Sequence, residues 1–270
     1  MKALERQNTY SSFLDRLRSA PTRVLLLDYD GTLAPFTADR SLALPYPGVP
    51  ALLLRIMAAG TRVALISGRP ARELVFLSGI HPHPEIWGSH GLERLKQDDS
   101  YEIGALSQHH QAALRRAAKV LRADGLEPRM ELKPGGIAVH WRGLSAPDAE
   151  EIETRVRGLW RPLLADDSLI LIDFDGGLEI RAPVRNKGDA VETILSESGR
   201  DAAVAYPGDD TTDEEAFRAL RGKGLTVLAG PQFRPTAAEI WLQPPQQLIR
   251  FFEEWLQASG REQRRSAKEV

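Results

Sequence analysis

The sequence predicts an α/β fold: a parallel sheet covered by helices, interrupted by an inserted α+β domain. Three observations predict it. Short apolar runs alternate with helical stretches, the pattern of a parallel sheet wrapped by helices. The runs are apolar almost throughout, as strands buried on both faces must be. Between residues 98 and 182 the texture changes to helix–hairpin, helix–hairpin.

The strand-like runs are residues 23–28, 62–67, 85–89, 202–208 and 225–229, and the helix-like stretches 48–59, 71–77, 187–198, 213–221 and 245–257. Within the insert, a helix over 105–123 precedes MELKPGGIAVHWR, two strands around a Pro-Gly-Gly turn. A second helix over 147–160 leads into LILIDFDGGLEIRAP, two strands around a Gly-Gly turn. The expected division is a core over 1–97 and 183–258, an inserted domain over 98–182, and a polar solvated tail over 259–270.

Composition narrows the function. With 270 residues, 35 basic against 37 acidic and a net charge of −2, the chain gives no electrostatic case for nucleic acid or an anionic membrane. No apolar run approaches the roughly 20 residues that span a bilayer, and the start has no signal-peptide core. The absence of cysteine excludes disulfides, thiolate-bound zinc and thiol catalysis. A cytoplasmic monomer is the expectation. His81, His83, His109 and His110 have no partners at metal spacing and read as ordinary loop and helix residues.

Two stretches share an apolar run followed by Asp-x-Asp-Gly: VLLLDYDGTL and LILIDFDGGLEI. In the second, Asp173, Asp175, Gly176 and Gly177 lie between strands, where a tight turn explains them. In the first, Gly31 leads into a long loop with no return strand. A buried parallel strand therefore points Asp28 and Asp30 at the carboxyl edge of the sheet, where open α/β folds bind ligands. Two carboxylates so close repel unless a cation separates them, and oxygen ligands suit Mg²⁺.

Three further strand ends complete the pattern. In ALISGRPARE, Pro70 is expected to open the helix with Arg69 as a poor cap; Ser67-Gly68 is either a plain loop or a phosphate cradle of hydroxyl and close backbone amide. In PVRNKGDA, Asn186 caps a helix whose first turn carries Lys187 and Gly188, both unfavourable there. Either Lys187 is solvated or it reaches an anion. In AVAYPGDDTTDEEAF, Asp209 and Asp210 precede the helix as candidate ligands, while Asp213 fits equally an ordinary first-turn acid.

In this order, LLLDYDGTL, ALISGRP, the lysine of NKG and GDDTTDE resemble the four motifs of the haloacid-dehalogenase-like (HAD) phosphatases, over about residues 20 to 245. The resemblance implies a HAD-like Rossmannoid core with a cap domain. It makes Asp28 the nucleophile, Asp30 the general acid and base, and Ser67 and Lys187 the phosphate holders, with Gly68 and Arg69 beside them. It implies Mg²⁺ bound by Asp28, the Asp30 backbone carbonyl and Asp209, supported by Asp210 or Asp213.

The insert then bears on the substrate. Glu131 and Lys133 share one strand face, His140 and Arg142 the face of the next strand, and Glu179 and Arg181 repeat the spacing. Cross-strand salt bridges on a solvated face explain such pairs by themselves. The order Glu-x-Lys, His-aromatic-Arg, Glu-x-Arg-x-Pro, with GSHGLE at 88–93, is similar to the cap of trehalose-6-phosphate phosphatases. That similarity implies that Glu131, Lys133, Arg142 and Glu179 face sugar hydroxyls, with His140 either packing or binding. Tyr29 between the aspartates and Trp141 in place of the commoner tyrosine are the small departures. No glycosyltransferase region precedes the motifs, so the expectation is a chain that removes the phosphate without making its substrate. Rival readings are a sucrose-phosphate or mannosylglycerate-phosphate phosphatase, a phosphomannomutase-like isomerase, and a non-catalytic sugar-phosphate regulator.

Overall fold

The structure is a computed structural model that describes residues 2–37, 39–165 and 167–260. Among these residues the larger sheet has eight strands. They are β1 (Arg23–Leu27), β2 (Thr61–Ile66), β3 (Glu85–Gly88), β4 (Glu93–Leu95), β5 (Tyr101–Ile103), β10 (Ala203–Gly208), β11 (Leu225–Ala229) and β12 (Ile240–Leu242), in the order β12-β11-β10-β1-β2-β3-β4-β5. From β12 to β3 every pairing is parallel, and β4 and β5 fold back antiparallel.

Strand β1 shows why its apolar run is continuous. Leu25 and Leu27 pack on one face with Val63, Leu65, Phe251 and Trp255, whereas Val24 and Leu26 pack on the other with Val191, Ile194 and Phe217. The first face is covered by α1 (Lys2–Ser19), α2 (Val49–Ala58), α3 (Ala71–Leu77) and α8 (Gln246–Gly260). The second is covered by α6 (Lys187–Ser198) and α7 (Asp213–Leu220). None of the described helices is long and apolar enough to cross a membrane.

The smaller sheet, β6 (Met130–Lys133), β7 (Gly136–His140), β9 (Gly177–Arg181) and β8 (Ile170–Phe174), is antiparallel throughout. Ile137, Val139, Leu178 and Ile180 pack on Ala117, Leu121, Val156 and Trp160 of α4 (Gln108–Ala123) and α5 (Ala146–Trp160). The opposite face carries Glu131, Ala138, Glu179 and Ile172 in one cross-strand row. Small Ala138 between two carboxylates leaves room above the sheet.

Four details differ from the sequence reading. Strand β5 hydrogen-bonds to β4 in the large sheet, so the insert departs after Ile103 rather than at 98. The polar turn around Asp98 and Asp99 reads as a boundary but is the tip of an antiparallel hairpin. Helix α3 begins at Ala71, with Pro70 at its cap. Helix α1 was hidden by its scattered charges and is held by buried Phe13 and Leu17. Helix α8 runs to Gly260, and the rest of the expected tail lies outside the described residues.

Candidate active site

Four strand ends and the cap sheet line one cleft. Asp28 follows β1, and its amide donates to Pro207 O at 3.0 Å, fixing it beside the end of β10. Asp30 follows within the turn that Gly31 makes at φ +83°. A Cβ on Gly31 would lie 2.0 Å from Asp209 Oδ2, so the close approach of these two segments requires glycine.

Lys187 opens α6, whose cap is a reciprocal pair: Asn186 Oδ1 accepts from the Asp189 amide and Asp189 Oδ2 from the Asn186 amide. That cap fixes the first turn. Lys187 Nζ then donates to Asp28 Oδ1 and to Asp213 Oδ1, each at 2.7 Å. Gly188 has a reason apart from the lysine: a Cβ there would lie 2.9 Å from Glu215 O of α7.

Asp213 is fully buried and fully engaged. Its Oδ1 also accepts from Tyr206 Oη at 2.6 Å, and its Oδ2 accepts the amides of Asp209 and Asp210, each at 2.9 Å. Asp213 thus folds the GDD loop around itself. Asp210 turns its own carboxylate to the Thr211 amide at 2.6 Å.

The donor set suits a cation. Ligand oxygens of Asp28, Asp209 and Asp213 lie within 4.8 Å of one another. Asp28 Oδ2 and Asp209 Oδ1 are buried without a hydrogen-bond partner. One ammonium faces three acids. Burial and the Asp213 charge push Asp28 up to about 7, and burial and the Asp28 charge raise Asp209 well above the ordinary carboxylate range. Hard oxygen donors, excess negative charge and uncommitted lone pairs fit a divalent cation such as Mg²⁺.

On the opposite wall, Ser67 follows β2. Its amide donates to Trp87 O and its carbonyl accepts from the His90 amide, both at 2.9 Å, and Arg69 N donates to its Oγ at 3.2 Å. Ser67 and Gly68 line the cleft. Arg69, 2% exposed, grips Asp30 with two bonds of 2.6 and 2.7 Å and also pairs with Glu73.

The cap closes over this floor. Lys133 Nζ donates to Glu179 Oε2 at 2.6 Å, and His90 Nε2 lies 3.3 Å from the same oxygen. Although burial opposes ionisation, Lys133 and His90 hold Glu179 well below the usual carboxylate range. Glu131 is held down to about 2 against the same opposition by His140, Lys133 and Arg40. Arg142 stacks over Phe36 at 4.6 Å and bonds to Asp175 at the tip of the second hairpin.

The cleft therefore brings together Asp28, Asp30, Ser67, Gly68, Arg69, Lys133, Arg142, Glu179, Lys187, Asp209 and Asp210, with Glu131 bonded at its edge. Of Asp210 and Asp213, between which the sequence left the supporting acid open, Asp213 stands in the acid cluster. The Asp30 side chain faces Arg69. One feature differs from the sequence reading. The Asp175 turn, read as a plain hairpin, is one, yet it overhangs the cleft. Sequence reasoning passed over Arg40 and His90 as site residues, and left His140 undecided; all three line the cleft. His90 alone carried a signal, within the GSHGLE stretch.

A trehalose-phosphate phosphatase of Mycobacterium avium is 31% identical over 247 residues, covering 85% of this chain and 61% of its own length. The chain thus spans about three-fifths of the mycobacterial relatives it matches. A trehalose-6-phosphate phosphatase structure from Aspergillus fumigatus superposes with a TM-score of 0.64 at 25% identity, covering 92% of this chain and 97% of that one. A phosphatase of the HAD superfamily from Bacteroides thetaiotaomicron, at 15% identity and a TM-score of 0.60, shares the fold over 87% of this chain and 95% of its own. The trehalose-phosphatase family profile matches residues 26–235, most of the core and the whole cap, and the chain belongs to that family.

Proposed function

We propose that the protein hydrolyses trehalose 6-phosphate to trehalose and phosphate through an aspartyl phosphate on Asp28, with Mg²⁺ as cofactor. The observation that carries this reading is one continuous cleft. A buried Asp28–Lys187–Asp213 cluster lies at its floor and paired carboxylates and cations line its cap wall.

Asp28 and Asp209, with the Asp30 carbonyl, would hold the cation, supported by Asp213, which fixes the loop carrying Asp209; the cation when bound offsets the charge of nucleophile and phosphate. The chain's own residues do the rest. Lys187 fixes Asp28 Oδ1 and sets the carboxylate for attack on phosphorus, while Ser67 and Gly68 receive the phosphate oxygens. Attack forms the Asp28 acyl phosphate as the P–O bond to the sugar breaks. Asp30 gives that oxygen a proton, then takes one from the water that cleaves the intermediate. In this structure the Arg69 fork holds both oxygens of the Asp30 carboxylate. For the first step Asp30 must turn from Arg69 toward the leaving oxygen.

Glu131, Lys133, Arg142 and Glu179 read the sugar. Carboxylate acceptors and cationic donors match hydroxyls, and a ligand lacking them leaves buried charges unpaired. The reading includes a monomeric cytoplasmic protein. It assigns no nucleic-acid or membrane partner, which the balance of 35 basic and 37 acidic residues supports. It predicts Mg²⁺-dependent phosphate release from trehalose 6-phosphate far above that from glucose, sucrose or mannose 6-phosphates. Preference for another ester would keep the chemistry and reject the substrate. Dependence on an added hexose bisphosphate would favour the mutase.

A further inference from the structure

Resting on that reading, we propose that Arg40 of the core loop is a sugar-reading residue. It completes with Glu131 and His140 of the cap a hydroxyl-binding site that exists only when the cap is closed.

Arg40 lies in the loop between β1 and α2, on a helical turn capped by Asp39, which accepts the Ser41 amide at 2.9 Å and Ser41 Oγ at 2.7 Å. The loop is tied down on both sides of the turn. Tyr46 N donates to Leu33 O at 2.9 Å, and Tyr29 Oη to Ala43 O at 2.8 Å. A fixed loop therefore presents the guanidinium to the cleft, which Arg40 and His140 both line.

The chemistry at its tip is incomplete. Arg40 Nη1 pairs with the Glu131 carboxylate and lies 3.2 Å from His140 Nε2, while that nitrogen is 2.9 Å from Glu131 Oε2. A guanidinium only donates and a carboxylate only accepts. A neutral His140 Nε2 either donates to Glu131 or accepts from Arg40, never both. A ligand hydroxyl resolves the conflict, since it donates to Glu131 while accepting from Arg40 or His140. The other terminal nitrogen, Nη2, lies 3.9 Å from Glu73 Oε2 and draws Arg40 toward the core side. Because Arg40 belongs to the core and Glu131 and His140 to the cap, the three meet only across the closed seam. Recognition of this hydroxyl therefore requires closure.

The experiment compares kcat/KM for trehalose 6-phosphate with that for p-nitrophenyl phosphate, whose leaving group carries no sugar hydroxyl. The wild-type chain, R40A and R40K are assayed together with Mg²⁺. The ratio of the two values is expected to fall about 10- to 100-fold in R40A, the scale of one lost charged hydrogen bond. The fall should reside mainly in KM for the sugar ester, with R40K recovering part of it. Continued p-nitrophenyl phosphate turnover reports that the variant has folded. A ratio within about twofold of wild type, the scatter expected when no specific hydrogen bond is lost, overturns the assignment whether both rates fall or neither does. R40K matching R40A also overturns it, by removing the donor role. A wild-type chain without preference for the sugar ester overturns the functional reading itself; the wild-type ratio retained in R40A overturns this inference alone.

Discussion

Lys187 Nζ donates to Asp28 Oδ1 at 2.7 Å, joining residues 159 positions apart and placing the lysine beside the carboxylate of β1. The same ammonium holds Asp213, so one cation stands between two buried acids. Replacing Lys187 with alanine takes the counter-charge from both. Turnover is expected to fall on the order of 10²–10³-fold, the scale for one lost charge-stabilising donor. Metal-free stability should fall by about 3–5 kcal/mol, as when a buried pair loses one partner. Steady-state kinetics and thermal melts check both; a full-rate K187A removes the lysine from the mechanism.

The two candidate supports for Asp209 separate experimentally. Asp213 accepts two loop amides and sits in the acid cluster, whereas Asp210 bonds Thr211. D213N should weaken Mg²⁺ activation roughly 10–100-fold, the range for residues that orient metal ligands, and D210N by much less. Titrating Mg²⁺ against activity tests the order, and the reverse order contradicts this geometry.

Gly31 gives a backbone test of the same centre. G31A places a methyl 2.0 Å from Asp209 Oδ2, on a backbone with positive φ. Displacing Asp209 should raise the Mg²⁺ requirement roughly 10–100-fold. An unchanged requirement in a folded variant would show that Asp209 is dispensable to the metal.

His90 supplies a pH signature. Burial lowers its pKa to about 4, below the ordinary value of 6.5. Because the folded value is depressed, the unfolded chain binds more protons between these limits. The contribution of His90 to stability is therefore complete above pH 6.5 and lost as pH falls through about 4. Melting temperature measured over this range should fall less steeply with acid in H90Q than in wild type. Parallel curves would mean that His90 is not held neutral.

The parallel core was legible because strands buried on both faces need continuous apolar runs, and their ends are conspicuous when they carry Asp28, Ser67 or Asp209. Lys187 was legible because a lysine in the first turn opposes the helix dipole. Asp213 was ambiguous for the opposite reason: an acid there is ordinary, and only the fold shows it accepting from Lys187, Tyr206 and two amides. Arg40 left no trace, since a loop residue has no periodicity and its partners lie across the cap seam. Strands β5 and β12 have three residues each, too short for alternation to show.

The central claim is that phosphate passes through Asp28. Wild-type chain, D28N and D30N can be mixed with trehalose 6-phosphate and Mg²⁺, quenched in acid during turnover, and digested for peptide mass spectrometry. The account predicts a phosphoryl increment on Asp28 in wild type. The increment should be stronger in any D30N molecules that react, since they lack the base for the second step, and absent in D28N. Turnover that persists in D28N, with no increment on Asp28 in wild type, would contradict it.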